Sequence, residues 1–273
     1  MQRPALKRFG QHFLAPEWVV KVVKAIAPAP GDDFIEIGPG RGALTEPLAA
    51  GAKTVTAFEI DRALAESLRA AAPPNLSVVE GDFLESDWLL THRPAAPVRV
   101  AGNLPYNVAS PIMFKLIELY DAGVPLADAT LMLQREVADR LLAGPGTKEY
   151  GVLSILVRLS ADVDRLLNLP PGAFRPAPKV QSALIRLRFH PPHPQPRDRQ
   201  IFLRMVQAIF TRRRKTLENA LLAFRPGDRA PIGAALEHSG IDGRRRPETL
   251  DIAELVRLSD AFQALVLPAP AVL

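Results

Sequence analysis

The chain has no cysteine, few aromatic residues and no long apolar run. Because cysteine is absent from all 273 residues, a disulfide framework, thiol catalysis and thiolate metal sites are excluded, and a reducing compartment is expected. The sequence shows no N-terminal apolar signal segment and no stretch of nearly twenty apolar residues. These absences predict a soluble cytoplasmic protein that has no membrane association and no bound metal.

The excess of positive charge lies towards the C-terminus. The net charge is +5 at pH 7, and from Pro191 onward 13 Lys and Arg residues outnumber 9 Asp and Glu residues. The basic runs Arg212–Lys215 and Arg244–Arg246 account for much of this excess, and the first opens a predicted helix, Arg213–Ala223. Cations at the start of a helix oppose the helix dipole, so phosphate binding explains them better than helix stability does. The alternative is a solvated basic face.

The chain is predicted to form a large domain followed by a small one. Apolar residues make up 48% of the sequence, which is enough for a substantial core. A proline-rich segment, 191–197, is predicted to link a domain over 1–190 to an all-helical domain over 198–273. The first domain begins with a basic arm, 1–15.

Polar residues follow four successive predicted strands. The first strand ends in Gly38–Gly42, a turn typical of nucleotide sites, and no Walker lysine follows that would suit a triphosphate. The second strand ends at Glu59, placed 21 residues after Gly38, a separation at which an acid meets ribose hydroxyls. The third ends at Asp82, which can accept from an exocyclic amine, next to Phe83, which can pack beside a purine. This order predicts a mostly parallel sheet with a nucleotide site at its carboxyl edge, and it resembles class I S-adenosylmethionine-dependent methyltransferases.

The fourth strand runs into the tetrad Asn103-Leu104-Pro105-Tyr106. Pro105 cannot continue a strand, so an amide, a backbone carbonyl and an aromatic ring meet at a rigid corner. This set suits a planar ring that carries N–H groups, and it resembles the tetrad of enzymes that methylate exocyclic amines. The alternative is that Asn103 caps the next helix and Tyr106 belongs to the core.

A proline-rich loop carries a single aromatic residue, Phe174, between two predicted antiparallel strands, Asp162–Leu167 and Ser182–Phe189. The ring could stack on a base opposite Tyr106, or it could anchor the loop in the core. The loop alone does not separate these two interpretations.

Five motifs in order resemble the ribosomal RNA adenine dimethyltransferase family, in particular its small-subunit (16S) branch. They are Phe9–Leu14, Glu36–Gly42, Asn103–Tyr106, Phe174–Val180 and Arg213–Asn219. The resemblance implies an α/β class I methyltransferase (Rossmann-like) fold, with a mostly parallel sheet, an antiparallel closing strand and a small all-α C-terminal domain. It also implies S-adenosylmethionine as cofactor and N6,N6-dimethylation of two adjacent adenosines near the 3′ end of 16S rRNA in an immature small subunit. A monomer is expected.

The residue patterns and the resemblance together assign roles to individual residues. The predicted cofactor contacts are His12, Leu14, Gly38, Gly40, Glu59, Ile60, Asp82, Phe83 and Asn103. The predicted catalytic residues are Asn103, Leu104, Pro105 and Tyr106, with Tyr106 and Phe174 stacking on the target base. The predicted RNA contacts are Lys7, Arg8, Arg212, Arg213, Arg214, Lys215, Arg244, Arg245 and Arg246. One position departs from the family, because His12 stands where Asn is usual.

Three other functions are compatible with parts of this pattern. A 23S rRNA adenine methyltransferase of the antibiotic-resistance type shares the front half, although Arg213–Asn219 favours the small-subunit enzyme. A non-catalytic ribosome-assembly or transcription factor on the same scaffold is disfavoured by the intact Gly38, Glu59, Asp82 and Asn103. A small-molecule methyltransferase is disfavoured by the basic tail.

Overall fold

The computed structural model describes residues 12–227 and 229–266. The chain forms two compact units, of which the first runs to Ala138 and includes Asp162–Phe189, and the second comprises Asp139–Ala161 and the residues from His190 onward. The second unit thus takes in residues 139–161, which the sequence analysis placed in the first domain. Tyr150 shows why, since its buried hydroxyl donates to Leu250 O at 2.9 Å within the second unit.

The strands are β1 (Phe13–Leu14), β2 (Asp33–Ile37), β3 (Thr54–Glu59), β4 (Leu76–Glu80), β5 (Val98–Asn103), β6 (Leu126–Gln134), β7 (Ala161–Leu169), β8 (Phe174–Arg175) and β9 (Ser182–Phe189). Seven of them form one sheet in the order β4-β3-β2-β5-β6-β9-β7. Strands β2 to β6 pair in parallel, and β9 pairs with β6 in the antiparallel sense. The predicted mostly parallel sheet with an antiparallel closing strand is therefore confirmed. A separate two-stranded ladder joins β1 to β8.

Helices connect the parallel strands and form most of the second unit. They are α1 (Pro16–Ile26), α2 (Thr45–Gly51), α3 (Arg62–Ala70), α4 (Trp88–Thr91), α5 (Ala109–Asp121), α6 (Arg135–Leu142), α7 (Val152–Arg158), α8 (Arg199–Phe210), α9 (Leu217–Leu221), α10 (Arg229–Ser239) and α11 (Ile252–Val266). None of the helices in the described ranges is long and apolar enough to cross a membrane.

The central strands are buried because their side chains are apolar on both faces. Phe34, Ile35 and Ile37 of β2 are at most 4% exposed, as expected for a parallel strand covered by helices. Close to the carboxyl edge, β5 passes β2 at Gly102, where a Cβ atom would lie 2.8 Å from Ile37 O. A side chain at this position would push the two strands apart, so glycine is required directly before Asn103.

Arg99 lies near the amino-terminal ends of the parallel strands, opposite the carboxyl edge, and its hydrogen bonds join the sheet to α1. Its guanidinium donates to Asp32 and Asp128 and to the last carbonyls of α1, Ile26 O and Ala27 O, at 2.8–3.3 Å. These bonds satisfy carbonyls that a helix end leaves unpaired. Helix α1 stops there with Ala27 in the left-handed region at φ 53°.

The first basic run of the tail does not begin a helix. Residues 211–215 form a turn directly after α8, and α9 starts only at Leu217, with Thr216 as its N-cap. The predicted start at Arg213 is therefore wrong. Because cations near a helix C-terminus complement the dipole, helix electrostatics accounts for part of this run, contrary to the sequence interpretation.

Candidate functional site

A cavity opens at the carboxyl edge of the sheet, where β2, β3 and β5 end. Its lining combines four stretches of the first unit: His12–Leu14, the turn after β2, the end of β3 and the tetrad after β5. The lining residues are His12, Phe13, Leu14, Glu36, Gly38, Pro39, Gly40, Ala43, Leu44, Glu59, Ile60, Asn103, Leu104, Pro105 and Tyr106. The structure thus brings together the whole tetrad and every predicted cofactor residue except Asp82 and Phe83.

The turn after β2 depends on glycine for its backbone conformation. Gly38 and Gly40 have φ values of 69° and 60°, a region that side chains disfavour. A Cβ atom on Gly40 would also lie 3.3 Å from the Phe13 ring, which packs over the turn. Glycine is therefore needed here for the local turn and for the segment that covers it.

Glu59 is held in place by backbone donors. Its carboxylate accepts from Gly40 N at 2.9 Å and from Asp61 N at 2.8 Å. Burial raises the pKa of Glu59, and these two hydrogen bonds oppose the increase. A carboxylate has about four lone-pair sites, so the fixed Glu59 side chain can still accept from hydroxyl groups.

Glu36 is a cavity residue that the sequence analysis did not assign. It is 1% exposed, and its Oε2 atom has no hydrogen-bond partner among the described residues. Burial raises its pKa to about 8; the Thr45 side chain opposes this increase, and the nearby Glu59 charge adds to it. A charged residue inside an apolar strand, two positions before Gly38, was the signal that could have identified it.

The Asn103 amide has a defined orientation. Asn103 Nδ2 donates to His12 O at 2.8 Å. Because a backbone carbonyl can only accept, this contact fixes which end of the amide carries nitrogen, and Oδ1 has no donor among the described residues. Asn103 does not cap the next helix, since α5 begins at Ala109 with Val108 as its N-cap.

Tyr106 is half-buried and lines the cavity, so it is not a core residue. Its hydroxyl forms a 3.0 Å hydrogen bond with Ser182 Oγ. The His12 ring stacks on it, with 5.9 Å between ring centroids and 26° between planes. His12 Nδ1 lies 2.8 Å from Pro176 O, so this nitrogen carries the proton.

Two aromatic residues that were predicted to contact a ligand are buried in the structure. Phe174 is 1% exposed and packs in the core with Leu14 and Ala173, so it offers no face to a base, and the predicted second stacking wall is absent. Phe83 is 5% exposed and packs edge-on against Phe58. Burial in the core removes the apolar surface of both rings from water.

Asp82 lies outside the cavity lining. Its Oδ1 atom accepts from Leu84 N at 2.9 Å and so supports the turn that follows β4. Its contact with an adenine amine stays a prediction.

The basic residues of the tail divide into paired and exposed ones. Arg213 contacts Glu248 and Lys148 O, Arg245 is ion-paired with Glu254, and Arg244 is paired with Asp242. Exposed cations with no ion pair among the described residues are Arg212, Arg214, Lys215 and Arg246. We call Arg212, Arg214 and Lys215 the tail cations. Lys7 and Arg8 lie outside the described residues.

No group of three or more His, Asp or Glu side chains that could hold a metal ion occurs within residues 12–227 and 229–266.

The parallel sheet, the glycine turn, the buried acid at the end of β3 and the amide-bearing tetrad at the end of β5 define a class I methyltransferase. A model of the ribosomal RNA adenine dimethylase family matches residues 4–264. The chain belongs to this family.

Similar proteins agree with this assignment. The ribosomal RNA small subunit methyltransferase A of Acinetobacter baylyi is 43% identical over 260 residues, which cover 94% of this chain and 92% of that protein. The crystal structure of a dimethyladenosine transferase from Plasmodium falciparum has a TM-score of 0.74 at 27% identity, covering 90% of this chain and 96% of that one. The 23S rRNA methyltransferase ErmE has a TM-score of 0.67 at 29% identity, covering 92% and 99%.

Proposed function

We propose that the protein uses S-adenosylmethionine to dimethylate N6 of two adjacent adenosines near the 3′ end of 16S rRNA, in an immature small ribosomal subunit. The observation that carries this proposal is the Asn103 amide, whose Oδ1 acceptor belongs to the same cavity as the glycine turn and Glu59. The similarity to a small-subunit methyltransferase along 94% of the chain supports the choice of RNA.

The donors and acceptors of the cavity fit S-adenosylmethionine. The Glu59 carboxylate, fixed by two N–H donors, can accept from ribose hydroxyls. Glu36 Oε2, buried and without a partner in the described ranges, can accept from the ammonium group of the amino-acid end. Ile60 is 51% exposed and offers apolar surface to the adenine ring. When bound, this cofactor supplies a methyl group on a positively charged sulfur.

The tetrad can orient the target amine. The lone pair of an adenine N6 is delocalised into the ring, so the amine is a poor nucleophile unless it is held in a reactive geometry. Asn103 Oδ1 and the Leu104 carbonyl can each accept one N–H bond from N6, and among the described residues no donor uses the Leu104 carbonyl. In the first transfer two such bonds leave the lone pair facing the methyl donor, and positioning of this kind lowers a barrier by several kcal/mol. In the second transfer N6 carries one methyl group and one hydrogen, so a single N–H bond holds it.

A strong general base is not needed in this scheme. N6 becomes acidic only after it has gained the methyl group, and solvent can then take its proton. Half-buried Tyr106 supplies a ring on which the target base can stack. Stacking of this kind contributes roughly 1–3 kcal/mol per base, which offsets part of the few kcal/mol that flipping the base out requires.

The exposed tail cations can bind the RNA backbone. They carry no ion pair among the described residues, so they are free to neutralise phosphates and release counterions. The salt-bridged Arg213 and Arg245 are poorer candidates, because a phosphate would have to compete with Glu248 and Glu254.

The experiment is mass mapping of 16S rRNA after incubation of immature small subunits with the protein and S-adenosylmethionine. The wild-type protein should add two methyl groups to each of two adjacent adenosines. Asn103→Ala should lose on the order of 100-fold in methyl transfer, while calorimetry should show that it still binds the cofactor. Asn107→Ala is the matched control, since Asn107 is exposed and follows the tetrad directly.

Near-normal dimethylation by Asn103→Ala would contradict the role of the tetrad. The alternative function is that of a 23S rRNA methyltransferase, as the name of ErmE describes. Primer extension on 23S rRNA, run in parallel, tests it, and modification of 23S rRNA alone would favour that alternative. Absence of S-adenosylmethionine binding by the wild-type protein would favour a non-catalytic assembly factor.

A further inference from the structure

The Tyr106 ring is fixed by a residue that lies outside the cavity lining. Its hydroxyl is hydrogen-bonded to Ser182 Oγ at 3.0 Å, and Ser182 is 1% exposed. Ser182 is the first residue of β9 and pairs with Gln134 at the end of β6, so its backbone is held by the sheet. Because β6 separates β9 from β5, this bond joins the tetrad to a second, independent strand of the same edge.

A second contact restricts the same ring from one side. The His12 ring stacks on Tyr106, and His12 is itself anchored by the Nδ1–H bond to Pro176 O. The His12 ring therefore partly covers one face of Tyr106. The opposite face is the more accessible one for a base, and its direction is set by the rotation of the Tyr106 side chain.

We propose that Ser182 is a positioning residue for methyl transfer, which it assists by holding the Tyr106 ring at the angle that presents its uncovered face to the target base. This inference rests on the proposed function for the role of Tyr106. Ser182 does not line the cavity, so its effect on the reaction passes through the Tyr106 hydroxyl.

The size of the effect follows from the bond that is removed. A net hydrogen-bond contribution of ordinary size corresponds to about a fivefold change in an equilibrium between ring orientations. Ser182→Ala and Tyr106→Phe each remove this one bond, so each should lower the single-turnover rate of methyl transfer about fivefold at saturating cofactor. Because both changes remove the same bond, the double variant should also be about fivefold slower than wild type.

Thr130→Val is the matched control. Thr130 is also 1% exposed, lies on the neighbouring strand β6 and uses its hydroxyl to accept from Arg186 Nε at 3.3 Å. Loss of this buried hydroxyl should leave the transfer rate within twofold of wild type. Cofactor affinity, measured by calorimetry, should be unchanged in all four variants.

A second measurement does not depend on RNA. The chain has only three tyrosines, Tyr106, Tyr120 and Tyr150, so their ring signals can be resolved by NMR after selective ¹³C labelling. Ser182→Ala should shift the Tyr106 ring signals and increase the mobility of that ring. The signals of Tyr120 and Tyr150 should not move.

The outcomes separate the inference from the proposed function. Unchanged Tyr106 signals in Ser182→Ala, or a double variant about 25-fold slower than wild type, would overturn the positioning role. The same holds if Ser182→Ala loses cofactor affinity along with rate, because Ser182 would then support the whole cavity. If wild type shows no methyl transfer but the Tyr106 signals respond, the proposed function fails and the Ser182 contact remains as the determinant of ring orientation.

Discussion

Replacement of Glu36 by glutamine should stabilise the protein relative to wild type, and this difference in the free energy of unfolding should grow as the pH rises. The Glu36 carboxyl is buried, and burial raises its pKa from the ordinary 4.5 to about 8. At pH 7 it is therefore mostly neutral in the folded protein, whereas in the unfolded chain it is ionised. Because the Glu36 carboxyl has a higher pKa in the folded protein than in the unfolded chain, it stabilises the fold fully only below pH 4.5. This contribution is lost as the pH rises from 4.5 towards 8.

The magnitude follows from the two pKa values. Each pH unit between them lowers the free energy of unfolding by roughly 1.4 kcal/mol. The loss is under about 1 kcal/mol near pH 5 and about 3 kcal/mol near pH 7. Glutamine does not ionise, so the stability of Glu36→Gln relative to wild type should increase by about 2–3 kcal/mol over this interval. Burying the amide adds a constant offset, so the slope carries the test.

Urea unfolding at several pH values, followed by tryptophan fluorescence, measures this slope. Both tryptophans, Trp18 and Trp88, belong to the first unit, so the signal reports the part of the chain that contains Glu36. Glu85→Gln, the same change at an exposed position, is the control and should follow the wild-type curve. A stability difference between Glu36→Gln and wild type that stays constant from pH 5 to pH 8 would refute the buried neutral carboxyl.

Three further predictions concern the edge of the sheet and the tail. Ala27→Gly should raise the free energy of unfolding by up to about 1 kcal/mol, because glycine adopts the left-handed conformation without strain; a clear drop in melting temperature would contradict this. Arg99→Met should lower it by about 2–3 kcal/mol in urea unfolding, since Ala27 O loses its donor and the partly buried Asp32 and Asp128 carboxylates lose an ion-pair partner; a loss below about 1 kcal/mol would count against that role. Joint replacement of the tail cations by alanine should reduce the slope of log K against log salt by about 2, where K is the association constant for rRNA measured by filter binding, and an unchanged slope would argue against phosphate contacts. Arg213→Ala, in contrast, should mainly destabilise the second unit, because Arg213 is paired with Glu248.

The sequence was sufficient for features that depend on neighbouring residues. Gly38 and Gly40 indicated the turn because their left-handed backbone is a local property, and Pro105 indicated the end of β5 because proline lacks a backbone donor. The alternation of predicted strands and helices also predicted the parallel sheet. In such a sheet the carboxyl ends of the strands share one edge, and this explains why Glu59 and Asn103 were correctly expected at one site.

Some features could not be predicted because they depend on burial. Phe174 and Phe83 are aromatic residues in loops, and the sequence does not show whether a loop ring turns into the core or towards a ligand. The same holds for Glu36, whose raised pKa comes from its surroundings. The assignment of residues 139–161 to the second unit also depends on packing over long separations, such as Tyr150 against Leu250.

By itself the sequence determined the fold class, the family and the order of polar residues along the sheet edge, because these follow from short motifs and their spacing. Only the tertiary structure decided the orientation of the reactive corner. Asn103 takes its direction from His12, 91 residues earlier, and Tyr106 from Ser182, 76 residues later. Hydrogen bonds between groups so far apart in the chain exist only after the sheet has assembled, so no local pattern encodes them.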